Sequence, residues 1–167
     1  MDSTRAGFGY GTYTITYSGR MDNANTALVF GGLFTYDGTT STGDTAITHN
    51  EIDVHETSAW DSGGPTAIDH TYYRNVSGTN TPTFEQAVIP TDVVQTHRLI
   101  WSVGQLQFDS FSGASATGTP YFSTVATNQV PVPAAERLCI NLWQYDAAGS
   151  TMPQKDIVLQ DFLFVPA

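Results

Sequence analysis

From Tyr10 to Tyr17 the chain reads YGTYTITY, aromatic or aliphatic residues alternating with threonine. Successive side chains of a β-strand point to opposite faces, so this period of two is that of a half-buried strand. Comparable segments recur down the chain: TALVFGGLFTY, AITHNEIDVHE, AIDHTYYR, PTFEQAVI, HRLIWSV, QLQFDSF, PYFSTVAT, RLCINLW and DIVLQDFLFV. Turn-forming stretches separate them, among them SGRMDNAN, DGTTSTGD, SAWDSGGP, NVSGTNTP, FSGASATG and YDAAGSTMPQ. Gly31 and Gly32 fall inside one strand, which predicts a bulge or the close approach of another backbone.

Runs of helix formers are absent; the longest candidates, Ala87 to Val94 and Pro133 to Leu138, carry prolines or β-branched residues. About ten strands joined by short turns predict an all-β, two-sheet antiparallel sandwich, a jelly roll. The 167 residues show no internal repeat and no dividing linker, so residues 1–167 read as one domain.

The formal net charge of −10 reflects scarce Lys and Arg rather than blocks of Asp and Glu. A negative surface argues against nucleic acid and anionic membranes as partners and leaves a neutral substrate unrepelled. No apolar run approaches the length of a membrane span, and MDSTRAGFGYG lacks the basic-then-apolar pattern of a leader. The lone Cys139, in the apolar stretch RLCINLW, reads as a buried small residue rather than a catalytic thiol.

Residues 50–57 read NEIDVHET. Glu51 and Asp53 share a face of a regular strand, with Ile52 and Val54 turned into the core, but Glu56 has the opposite parity. One extra residue, a β-bulge at Val54 or His55, would return Glu56 to the side of Asp53. Clustered carboxyls push each other's pKa values apart, one kept protonated while another stays ionised. Glycoside hydrolysis needs that division: in the retaining mechanism two carboxyls about 5 Å apart serve as nucleophile and as acid/base. On the acids alone, a solvated strand edge or a carboxylate metal site is as good an account.

HNEIDVHE resembles the ExDxxE signature of glycoside hydrolase family 16, whose members are jelly rolls of the concanavalin A-like lectin/glucanase type. The resemblance runs in order along most of the chain. YGTYTITY is similar to the family's strand beginning Tyr-Gly, and LVFGGLFTYDG to the strand before the acids. HTYYRN resembles a cleft strand of the lichenases, HRLIW the His-x-x-x-Trp strand, RLCINLW the Met-Asn-Leu-Trp strand, and DIVLQDFLFV the closing strand.

The resemblance implies that Glu51 is the nucleophile, Glu56 the general acid/base and Asp53 the residue assisting between them. Phe34, Tyr36, Tyr73, Asn141 and Trp143 match lichenase cleft positions, and aromatic platforms with short amide groups suit sugar rings; Trp143 and Asn141 share a strand face. His49 and His55 flank the acids, where a histidine could hold a carboxylate or a sugar hydroxyl, or simply pack; by alternation His49 shares the face of Glu51. Thr14 and Thr16 stand where lichenases carry a sugar-contacting Glu and Arg.

The activity implied is endo-acting, retaining hydrolysis of a β-linked glucan, β-1,3 or mixed β-1,3-1,4, through a covalent glycosyl-enzyme and without a catalytic cofactor. A transglycosylase, a non-catalytic sugar-binding jelly roll and a structural domain are the alternatives. Asp161 matches a closing-strand Asp that helps bind structural Ca²⁺ in family members. The chain is short at its amino terminus by comparison with the family, which predicts an open cleft edge and self-association through an exposed sheet edge. A polysaccharide substrate implies a secreted or extracellular protein whose leader lies outside this sequence, with a cytoplasmic one left open. The sequon Asn75-Val76-Ser77 reads as a chance match in a turn.

Overall fold

The computed structural model describes residues 1–20, 28–39, 49–57, 68–74, 81–86, 93–144 and 154–167. The described residues form strands and no helix: β1 (Asp2–Ala6), β2 (Gly11–Ser18), β3 (Leu28–Tyr36), β4 (Ile52–Thr57), β5 (Ile68–Tyr72), β6 (Thr83–Glu85), β7 (Val94–Ser102), β8 (Gln105–Ser112), β9 (Phe122–Ala126), β10 (Arg137–Gln144) and β11 (Val158–Pro166). They make a six-stranded sheet in the order β1-β10-β3-β4-β5-β6 and a five-stranded sheet in the order β11-β2-β7-β8-β9. Every pairing is antiparallel, so this is the all-β, two-sheet jelly roll expected of the sequence.

Alternation builds the core. Tyr13 and Ile15 of β2, Leu99 and Trp101 of β7, and Leu106 and Phe108 of β8 face Leu33, Ile52, Val54 and Tyr72 of the other sheet. Burying each aliphatic side chain of this set contributes about 1.5–3 kcal/mol. The Trp101 indole N–H, which burial would otherwise leave unsatisfied, donates to the Pro131 carbonyl at 3.0 Å. On the outer face of the five-stranded sheet, Arg98 and Asp109 are cross-strand partners joined by a 2.7 Å ion pair. Burial would raise the Asp109 carboxyl, but hydrogen bonds from Ser123, Gln107 and Arg98 hold it below its ordinary range.

Three features depart from the sequence expectation. Asp2–Ala6, given no strand, adds β1 to the edge of β10, with Asp2 opposite Cys139. β4 begins at Ile52, because His49 and Asn50 form a turn with φ of 47° and 49°, in the left-handed region. The third is polar: His55, His70 and His97 are all buried between the sheets.

Those histidines form one hydrogen-bonded network. His70 Nδ1–H donates to the Val54 carbonyl at 2.6 Å, which leaves its Nε2 to accept from Gln86. The same Gln86 amide donates to Ser110 Oγ at 2.8 Å, and Ser110 meets His97 Nδ1 at 2.8 Å. The Tyr17 hydroxyl reaches His55 Nε2 at 2.9 Å and Gln95 at 3.3 Å. A core that keeps polar groups must satisfy them, and this network does so for most of its members.

Cys139 is buried as expected, and burial, with Asp2 next in effect, pushes its thiol up to about 12. The turns expected at 58–65 and the sequon Asn75-Val76-Ser77 lie outside the described residues, as do most of those at 37–44, 75–82 and 145–154.

Candidate active site

β4 lies between β3 and β5 in the six-stranded sheet, and its pairing with β5 is irregular at one place. Asp53 is opposite Thr71 and Glu56 is opposite Asp69, so three steps along β4 match two along β5. That is the count of a β-bulge. Its effect on side-chain direction is visible in the burial: Ile52 and Val54 point into the core, and His55 points there too. Glu56 is thereby turned outward to the face that Asp53 already occupies.

The bulge aligns two rows across the outer face of the sheet. One runs Cys139, Phe34, Asp53, Thr71, Thr83; the other runs Asn141, Gly31, Glu56, Asp69, Glu85. Glu51 stands just ahead of β4, and its carbonyl accepts the Tyr73 N–H at 3.0 Å.

The carboxyls feel one another. Burial, then the charge of Glu56, pushes Glu51 up to about 7. Burial, then Glu51, Glu56 and Asp69, holds the Asp53 carboxyl well above its ordinary range. Like charges crowded in a poorly solvated place cannot all ionise, so the cluster keeps protons at neutral pH. Glu51, Asp53 and Glu56 are therefore brought together as a coupled group, with Asp69 as a fourth member.

Asp69 was missed in the sequence, although a signal for it exists. Counting back by twos from the cleft residue Tyr73 passes Thr71 and reaches Asp69, on the same face of the strand.

The flanking residues divide. Phe34 and Tyr36 on β3 are half-buried on the face of the acids, as is Tyr73 beyond β5. Asn141 is exposed on β10; its amide oxygen accepts the Gly31 N–H at 3.1 Å. Gly31 is required for that approach, since a Cβ there would stand 2.5 Å from the Asn141 oxygen. Trp143, two residues on, is 39% exposed and shares that face, which leaves an indole surface open to a ligand.

His55 does not reach this face. The bulge that turns Glu56 out turns His55 in, where it is fully buried against Tyr17; the expectation that it contacts substrate is corrected. His49 precedes the strand in a left-handed turn, so alternation with Glu51 does not apply to it; it stacks on Tyr36, ring centroids 4.6 Å apart. Thr14 and Thr16 lie on the outer face of the other sheet, with Thr16 bonded to Thr96, so they are remote from the acids.

Asp161 is exposed on β11. Calcium takes six to eight oxygens, and among the described residues no group of three His, Cys, Asp or Glu side chains is placed to hold an ion. A hollow of about 200 Å³ lies between the sheets near β1 and β11, lined by Phe8, Leu33, Leu138, Leu159 and Phe162 among others. It is apolar and away from the acids.

Two packed antiparallel sheets, one with a row of acids on its outer face, define a jelly-roll sandwich. Comparison with solved structures agrees: the chain has the fold of the glycoside hydrolase family 16 β-glucanases. It is similar to a β-glucanase of Bacillus licheniformis, with TM-score 0.66 and 19% identity over 99% of this chain and 70% of that one. It is similar to a β-1,3-1,4-glucanase (lichenase) from a mouse hindgut metagenome, with TM-score 0.57 and 19% identity over 88% of this chain and 58% of that one. A β-1,3-glucanase of Mycobacterium marinum gives TM-score 0.58 and 18% identity over 95% of this chain and 64% of that one. No family model and no curated protein matches the sequence.

Proposed function

We propose that this chain is a retaining glycoside hydrolase that cuts β-linked glucan, β-1,3 or mixed β-1,3-1,4, at internal bonds. The observation that carries the proposal is the bulge between Asp53 and Glu56, which turns an out-of-phase acid into the company of the other two. The β-glucanases that share the fold support the substrate class.

The chemistry follows from the cluster. The reacting protonation form carries the proton on Glu56 and leaves Glu51 ionised, the reverse of the order that burial and the charge of Glu56 favour in the free chain. In that form a Glu51 carboxylate oxygen attacks the anomeric carbon while the glycosidic C–O bond breaks and the Glu56 proton passes to the leaving oxygen. Glu56, now a carboxylate, takes a proton from water; the water oxygen bonds to the anomeric carbon and the ester to Glu51 breaks. Protonated Asp53 donates to the neighbouring carboxylate and moderates its charge as the sugar becomes oxocarbenium-like. Phe34, Tyr36, Tyr73 and Trp143 offer apolar surface to the CH faces of the sugar rings, and Asn141 an amide for a hydroxyl.

Azide separates the two glutamates. In Glu51→Ala it should attack the anomeric carbon directly and give the α-glycosyl azide; in Glu56→Ala it should intercept the glycosyl-enzyme and give the β-azide, using a substrate with an activated leaving group. Hydrolysis at the parent rate in Glu51→Ala without azide would refute the assignment.

A further inference from the structure

Asp69 stands directly across from Glu56 on the next strand and is 2% exposed. Opposed residues of an antiparallel pair share a face, with Cβ atoms about 5 Å apart. We infer that Asp69 is a positioning residue that shifts Glu56 toward its protonated, general-acid form by holding a second carboxyl directly across from it on the same face of the sheet. This rests on the function proposed above for Glu56.

The surroundings support the assignment. Asp69 is one of the groups that raise Asp53, so its charge is felt within the cluster. The titratable groups on the same face are Glu85 of β6 beside Asp69 in its row, Glu51 and Asp53 of the β4 segment, and, in the rows beyond, Cys139, Tyr36 and Arg137. Arg137 is exposed and engaged with the Ser3 and Thr4 carbonyls; Arg74 lies beyond the far end of β5. Behind the sheet stand His55 and His70, both kept neutral chiefly by burial. In the rows of Asp53 and Glu56 no Lys or Arg occurs among the described residues, so no cation within them offsets Asp69. Like charge at that range raises the pKa of a carboxyl, the more so in a site of low exposure. Glu85, next in the row, is exposed and its charge is screened by water.

The test uses the whole chain, with Asp69→Asn and Glu85→Gln compared with the parent. The Glu56 carboxyl carbon is titrated by NMR, and the pH profile of kcat/KM is measured on barley β-glucan. In Asp69→Asn the Glu56 midpoint and the alkaline limb should both move down by about one pH unit, while Glu85→Gln overlays the parent. A Glu56 midpoint unchanged in Asp69→Asn overturns the inference, whatever the activity. If the midpoint moves but the parent cleaves no glucan, the proposed function fails and the electrostatic role stands. Thermal melts at each pH identify a folding defect, in which case Asp69→Ser, which also removes the charge, is titrated in its place.

Discussion

Gly32 on β3 and His55 on β4 fit so closely that a Cβ on the glycine would stand 2.5 Å from the His55 Nδ1 atom and 3.2 Å from Phe30. The absent side chain is the space in which the inward-turned histidine of the bulge sits. Gly32→Ala should therefore displace His55, strain its bond to Tyr17 and disturb the placement of Glu56. Overpacking of this kind costs about 1–3 kcal/mol, measurable by urea denaturation, with activity lowered alongside. Gly38→Ala is the control, since its nearest neighbour would be 3.7 Å away; equal stability of the two variants would show that the fit is not a constraint.

Neutralising the acids should separate activity from stability. Glu51→Gln and Glu56→Gln remove the nucleophile and the proton donor, so kcat on glucan should fall by about 10³-fold or more. Asp53→Asn mimics the protonated form that the fold already favours. It should be at least as stable as the parent at pH values above the ordinary carboxylate range, where the unfolded parent ionises Asp53 and the folded one resists it, and a lower melting temperature there would contradict this.

The dependence of stability on pH follows from two opposed sets of groups. Burial lowers His55 to about 3 and His70 to about 4, and lowers His97 well below its ordinary value. Their folded pKa values are depressed, so their contribution is complete above about pH 6.5 and is lost as the pH falls. Glu51 and Asp53 are raised, so theirs is complete at low pH and is lost as the pH rises, for Glu51 through about 7. Between about pH 4.5 and 6.5 the two acids offset two of the three histidines, so stability still rises with pH by about one proton's worth. Stability should peak near pH 6.5, decline above it, and fall below it with a slope of about 1 to 2 kcal/mol per pH unit, the histidines outnumbering the acids by about one proton. Urea denaturation from pH 4 to 9 measures the curve, and a flat response would contradict it.

Trp143 offers an exposed indole on the face of the acids without touching the reacting centre in the proposed chemistry. Trp143→Ala should raise KM about tenfold, equivalent to about 1.4 kcal/mol of lost stacking, and change kcat little. A fall in kcat at constant KM would place the residue in the reaction instead.

Much of this was legible in the chain because strands announce themselves locally. YGTYTITY became β2 and RLCINLW became β10, within a residue or two, since alternation reports a buried face directly. The spacing of Glu51, Asp53 and Glu56 signalled the bulge for the same reason: an acid out of phase in a strand needs an extra residue to rejoin its row. The β1 strand gave no such signal, since DSTRA is largely exposed and is held by pairing to β10.

What the sequence by itself determined is which residues alternate, and hence the strands, the two-sheet architecture and the gathering of three acids in and just ahead of one of them. Which residues meet was decided only by tertiary structure. His55 lies beside Glu56 in the chain and looked equally able to serve the site, yet the same extra residue that turns one outward turns the other inward. Asp69 is remote in sequence from the acids and joins them through the register of β4 against β5. The inward set His55, His70 and His97 likewise comes from three different strands. Periodicity is a property of a few consecutive residues, whereas register and burial are set by how separate strands pair and pack.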